Sequence, residues 1–394
     1  LALSLIAAGC GGNADRTRAG EDGKTVVVSV SRKMLSGAEA YGLDRVASEL
    51  AYIPLETGEH CLLKEIRDVF PIGDCLLVSD FNNLYMFDRQ GKYIRKISQQ
   101  GQGPDDYVRV STVIVDDASG EFYLVTNGKM LKYTRDGVYR GNIPKEQYSV
   151  KALMTPAHTL LFYIPARTVY AHGTDVYSLL ETDTAGRVLR RYPNHNAFHS
   201  DNARSPLTIG ARPLYMFENT VCFNEWGNDT IFALAGDTVT PKLVIEMGDM
   251  KLDPYPDLSY YTSAEAMNFL MSESRLCIEN VWEDRAFYYI ILYRGYGGDH
   301  GVEHCVYDKR AGTFHCAGTV GLTNNLDGGL PFFPLKVEPD GTKFMWKDAV
   351  DFKDEILSGD YETRKNTYGE RFENVYRLAL ALREDDNPVL IIAR

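Results

Sequence analysis

Short alternating runs of apolar and polar residues, each closed by a polar turn, dominate this chain. Residues 84–98 show the pattern best: a run ending in Asp88, a turn at Arg89-Gln90-Gly91, and a second run from Lys92. Alternation on both sides of an Asp/Gly turn predicts a half-buried antiparallel hairpin. The hairpin recurs around Gly137, Gly186 and Gly236, in steps of 46, 49 and 50 residues. Ahead of each stand two more strand-like segments. In the first unit these are 63–70 and 75–79 with the elbow 80–83. The second has 110–116, 121–126 and the elbow Asn127-Gly128, the third 152–155 and 160–164, and the fourth 214–217, 220–223 and the elbow 224–229. Four strands at this period predict propeller blades, since one blade buries neither face alone and a ring of stacked sheets supplies the core.

The next hairpin, at Gly312, follows after 76 residues. The excess contains residues 262–280, where Ala266, Met267, Phe269, Leu270 and Met271 behind Ser263 predict a helical insertion capped by Ser263. The fifth unit resumes at 286–293 and 302–308. A sixth, over 333–394, holds a second predicted helix at 347–357 and ends in the apolar runs YRLALALRE and PVLIIAR. The expectation is an all-β, six-bladed β-propeller of four-stranded antiparallel blades, with short helical insertions in the last two blades. Closing the ring requires both chain ends to share a sheet, and AYIPLE (51–56) and PVLIIAR (388–394) are the candidates. Residues 25–30 read as a further strand.

Composition narrows the function classes. The 25 Tyr and 17 Phe suit pleated strands. A net charge of −12, spread along the chain without a basic stripe, argues against nucleic acid as a partner. The apolar run LALSLIAA ends in small residues before Cys10, like the end of a lipoprotein signal peptide with Cys10 as the acylated residue. On this reading residues 1–10 are the end of a signal peptide, 11–24 a polar tether, and 25–394 the propeller. Nothing later reaches the ~18 consecutive apolar residues of a spanning helix. The expected address is the bacterial cell envelope, periplasmic or on the outer-membrane surface, held to the membrane by the lipid.

Six further cysteines form no Cys-x-x-Cys pair, which argues against a structural zinc site. In HCVYDKRAGTFHC, a turn over 309–312 sets Asp308 opposite Thr313 and Cys305 opposite Cys316, close enough for a disulfide in an exported protein. The alternative is two thiols buried as small hydrophobes.

AYIPLET, LYMFDRQGKYIRKI followed by Gly101-Gln102-Gly103-Pro104, GNDTIFAL and DDNPVLIIA resemble the six-bladed, NHL-like β-propeller lipoproteins of Bacteroidetes. The resemblance runs from the Cys10 segment to the last residues. It implies the fold and an envelope address, and supplies no catalytic residue.

Blade topology sorts the loops. The Asp-x-x-Gly turns lie on one face of the ring, while the elbows between second and third strands and the crossings between blades lie on the other, around the channel mouth. Loops on a rigid scaffold carry function, so the candidate ligand-binding residues are Asp80, Phe81, Asn82, Asn83, Tyr107, Asn127, Glu225, Trp226 and Asp229. Aromatic rings with amide and carboxylate groups suit a glycan or peptide, or a protein partner. Asn, Asp and Gly are also turn formers by backbone preference alone. The sequence holds no G-x-S-x-G, H-E-x-x-H or S-x-x-K signature, and His300 with His304 makes a poor metal pair. Two readings stay open. The leading one is a non-catalytic binding or scaffold protein. The other is a calcium-dependent hydrolase, lactonase or lyase, with Asp80, Asn127, Glu225 and Asp229 as a candidate set.

Overall fold

The computed structural model describes residues 17–20, 24–36, 40–80, 82–97, 100–103, 105–145, 149–164, 177–194, 214–225, 227–253, 262–295 and 301–394. Its strands form six sheets that follow one another around a ring, each containing a four-stranded antiparallel blade. Blade 1 runs Asp68–Ile72, Cys75–Ser79, Leu84–Asp88 and Tyr93–Lys96. Blade 2 runs Thr112–Asp116, Glu121–Val125, Lys129–Thr134 and Tyr139–Pro144, and blade 3 Lys151–Met154, Leu160–Tyr163, Tyr177–Thr182 and Val188–Pro193. Blade 4 holds Leu214–Phe217, Thr220–Asn224, Thr230–Ala235 and Thr238–Glu246, and blade 5 Leu276–Glu283, Phe287–Arg294, Val302–Asp308 and Thr313–Gly318. Blade 6 takes Lys336–Val337, Lys343–Lys347 and Val389–Ala393 from the C-terminal part and Leu50–Pro54 from the N-terminal part.

The first strand of each blade lines the axis. The hairpin turns form as the sequence predicts. Asp88 Oδ1 accepts from the backbone N–H of Gln90 and of Lys92, each at 2.9 Å, and Gly91 takes a φ of +83° that other residues adopt only at a cost. Asp183 folds the blade 3 turn in the same way, accepting from Ala185 and Arg187.

The core lies between blades rather than within them. Met86, Leu84 and Ile97 of blade 1 pack on Phe122, Leu124 and Tyr133 of blade 2, and equivalent buried sets join blades 2 and 3, 3 and 4, and 6 and 1. The seam between the chain ends is continuous. Ala51, Tyr52 and Ile53 pair with Ile392, Ile391 and Leu390, and Leu390 is fully buried.

Several boundaries differ from the sequence expectation. The insertion before blade 5 is a helix only over Ser263–Ser272, and its N-cap is Thr262, which makes a capping box with Glu265; Ser263 is already inside the helix. From Leu276 the chain is the inner strand of blade 5, so residues 276–280 are not helical. The apolar run YRLALALRE falls largely in the last turns of the helix Glu370–Ala381. Phe372, Val375 and Ala379 are its buried positions, whereas Leu380 is exposed. That helix packs with Ala349–Leu357 and Tyr361–Tyr368. The strand near residue 25 is Val26–Ser29, and it extends blade 4 by pairing in parallel with its outermost strand, Val26 opposite Leu243.

Candidate functional site

Two cavities open onto the axis from opposite faces. The lower one, about 1510 Å³, is bounded by the first turns of the blades (Gly73, Asp117, Asn219, Ala286, Asp340) and by Arg89 of an Asp-x-x-Gly turn. Two ion pairs form among its lining residues. Arg285 meets Glu218 at 3.2 Å and Lys343 meets Asp284 at 3.1 Å.

The upper cavity, about 640 Å³, falls within the ~300–1,000 Å³ of ordinary small-ligand sites. It is lined by residues on and just before the inner strands: Arg67, Asp68 and Phe70 from blade 1, Arg109 and Thr112 from blade 2, Lys151 from blade 3, and Glu279, Asn280 and Trp282 from blade 5, with Trp346 of blade 6. Local backbone explains the blade 5 contribution. The pairing register of its inner strand shifts between Ile278 and Asn280, so Glu279 is an extra residue in a bulge. A bulge re-aims side chains that strict alternation would separate, and here Glu279 and Asn280, though adjacent, both line the cavity.

The lining charges differ in how they are satisfied. Lys336, beside the cavity, donates to the Val69 carbonyl at 2.6 Å and to Asp68 at 3.3 Å, and lies 3.5 Å from Glu338. Burial opposes its charge, but Asp68 and Glu338 outweigh burial and hold its pKa above the usual lysine value. Lys151 sits above the Trp282 ring, 5.4 Å from the centroid. Burial pushes its pKa below the usual lysine value, with the Lys336 and Arg67 cations adding to the effect and Asp68 and Glu279 opposing it.

The loop residues singled out from the sequence scatter. Asp80 lines the upper cavity, but its carboxylate folds its own elbow, accepting from the backbone of Asn82 and Asn83 and from the Asn83 side chain at 2.6, 2.5 and 3.0 Å. Tyr107 is not on the face. Its ring, 1 % exposed, belongs to the core between blades 1 and 2, where apolar burial outweighs any surface role. Asn127 is exposed in its turn and away from the cavity lining. Glu225 is fully buried and accepts from Ser178 of blade 3 at 2.7 Å, and Asp229 pairs with Lys251 at 3.2 Å. Asp80, Asn127, Glu225 and Asp229 therefore do not converge on one point as a calcium set would require. Among the described residues no three His, Cys, Asp or Glu side chains group around a common centre. Phe81, Trp226, His300 and Cys10 lie outside the described residues. His304 is hydrogen-bonded to the Gly318 carbonyl at 3.2 Å and packs on Phe333.

Cys305 does stand directly opposite Cys316, with the sulfurs 2.8 Å apart as free thiols. The residues that sequence reasoning missed are the charged and aromatic groups of the inner strands. Their signal was a cation or acid at the start of an apolar strand, as in Lys151-Ala152-Leu153-Met154 and Arg67-Asp68-Val69-Phe70.

Solved structures share this architecture. A protein from Bacteroides fragilis, described as exported, superposes with a TM-score of 0.69 at 18 % identity, covering 93 % of this chain and 99 % of that one. A member of the DUF4221 family from Bacteroides vulgatus gives 0.52 at 12 % identity, covering 88 % and 96 %. These likenesses are likenesses of fold. Among curated proteins none matches the sequence. The family described as domain of unknown function DUF4934 matches residues 25–394, nearly the whole chain, and the protein belongs to that family.

Proposed function

We propose that this protein is a non-catalytic binding protein of the bacterial cell envelope that holds a short saccharide in the upper mouth of its channel. The observation that carries the reading is the contrast between the two cavities. The upper one is of ligand size and combines the aromatic side chains Phe70, Trp282 and Trp346 with hydrogen-bonding groups from several blades. Apolar faces flanked by a few convergent polar groups are what a sugar ring requires. The lower one is a broad vestibule of about 1510 Å³, larger than an ordinary small-ligand site, and holds two ion pairs. The envelope address is supported by the Cys10 segment and by the exported description of the Bacteroides fragilis protein. On this reading Cys10 carries the lipid anchor.

The protein has three Trp, and two of them line the upper cavity. Titration of envelope-type oligosaccharides should therefore change the intrinsic fluorescence, and Trp282→Phe should remove much of that change. No response to any saccharide, or a response untouched by Trp282→Phe and Trp346→Phe, would count against the reading. Attachment is tested separately: Cys10→Ser should release the protein from the membrane fraction.

A further inference from the structure

We infer that Lys151 anchors a carboxylate of the ligand, so that the upper cavity selects a uronic-acid saccharide over its neutral counterpart. The inference rests on the saccharide reading for the class of ligand and on independent geometry for the charge.

Lys151 begins the inner strand of blade 3, and its side chain lines the cavity. Other lysines in the protein interior have an acceptor in the fold. Lys336 has Asp68 and Glu338, Lys343 has Asp284 at 3.1 Å, Lys309 has Glu283 at 2.6 Å, and Lys145 donates to Ser149 at 3.0 Å. Lys151 makes no ion pair and no side-chain hydrogen bond among the described residues; it lies over the Trp282 ring, and Asp68 and Glu279 act on its charge without pairing with it. The indole N–H of Trp282 is buried and has no acceptor among the described residues. Buried donors are ordinarily satisfied, and an uncompensated one is costly. A cation without an acceptor among the described residues therefore borders the cavity, and a ligand carboxylate would be an acceptor for it.

The rest of the lining limits the charge of the guest. Glu65, Asp68, Asp80 and Glu279 stand against Arg67, Arg109 and Lys151. A phosphate dianion would meet those four carboxylates, whereas a single negative charge is balanced by Lys151 alone.

The test uses the full chain and two matched pairs of probes, followed by calorimetry. One pair is a galacturonic acid trimer and its methyl ester, which has the same shape without the charge. The other is trialanine and its C-terminal amide. Each is titrated into the wild type, Lys151→Met and Lys151→Arg, with circular dichroism confirming the fold. Lys151→Met leaves no ion-pair partner behind among the described residues, so the variant is expected to fold. The acid trimer should bind at least ~10-fold more tightly than its ester. Lys151→Met should erase that preference and Lys151→Arg restore part of it. An ester that binds as well as the acid, a preference that survives Lys151→Met, or no binding of any probe would overturn the anchor. Equal binding of acid and ester with a Trp282 fluorescence response would leave the saccharide reading standing while the anchor falls. A Lys151-dependent preference confined to the peptide pair would do the reverse.

Discussion

Ile53 lies directly opposite Leu390, so residues from the two ends of the chain share the antiparallel ladder that closes the ring. Leu390 is fully buried, in the cluster that joins blade 6 to blade 1. Leu390→Ala should cost ~2–5 kcal/mol, the range for truncating a buried leucine. Removing residues 389–394 should prevent cooperative folding, because blade 6 would lose its third strand and Leu50–Pro54 its only partner in that sheet. Urea denaturation followed by circular dichroism measures both. A truncated chain that unfolds like the intact one would show that the seam does not hold the ring.

The closing strand also constrains a turn. At Gly91 an added Cβ would collide with the Pro54 carbonyl and the Ile53 side chain, on top of the positive φ. At Gly236, with φ +60°, a Cβ meets nothing within 4 Å. Gly236→Ala should therefore cost only the ~1–2 kcal/mol of the left-handed conformation, and Gly91→Ala clearly more. Comparing the two denaturation midpoints isolates the contact from the backbone term.

Lys145 is buried, and burial lowers its pKa from 10.5 to about 8. Between those values the unfolded chain binds a proton that the folded chain does not, so stability rises with pH across the window. Below pH 8 the full penalty of burying the charge applies. Lys145→Met should stabilise the protein at pH 7, by ~3 kcal/mol at the upper limit, and the gain should fade as pH approaches 10.5. Urea midpoints for the two proteins at pH 7 and pH 10 check the sign. A gain that does not change with pH would contradict it.

Cys305 and Cys316 face each other on neighbouring strands of blade 5, and both are buried. Mild oxidation of the folded protein should join the peptides that carry them, seen by mass spectrometry as a cross-linked pair that reduction releases. Cys61, Cys75, Cys222 and Cys277 should remain free under the same conditions.

The repeat was legible because an Asp-x-x-Gly turn leaves a chemical trace. Asp88 must accept backbone N–H bonds and Gly91 must take a positive φ, so both residue types show in the sequence. The seam was legible for a related reason: a closed ring has to bury both of its last strands. The helix ending at Ala381 was hidden by coincidence. Leu378, Leu380 and Leu382 alternate like a strand, while the buried positions Phe372, Val375 and Ala379 follow the helical spacing.

The site was least visible. Asp80 and its elbow attracted attention as hydrogen-bonding residues, yet the Asp80 carboxylate is occupied by its own turn. Lys151 falls just outside the strand that the sequence predicts at 152–155, and nothing in one strand says that the facing blade offers Trp282 instead of a carboxylate. Register across the ring decides that, and register between distant blades leaves no local pattern.

The account stands on the upper channel mouth being where a ligand sits, and a crystal structure with the tightest-binding oligosaccharide tests this directly. Ligand density between Asp68, Lys151 and Trp282, stacked on an aromatic side chain, is the predicted result. Density in the lower vestibule beside Arg89 and Asp340, or on the outer rim of the blades, would contradict it.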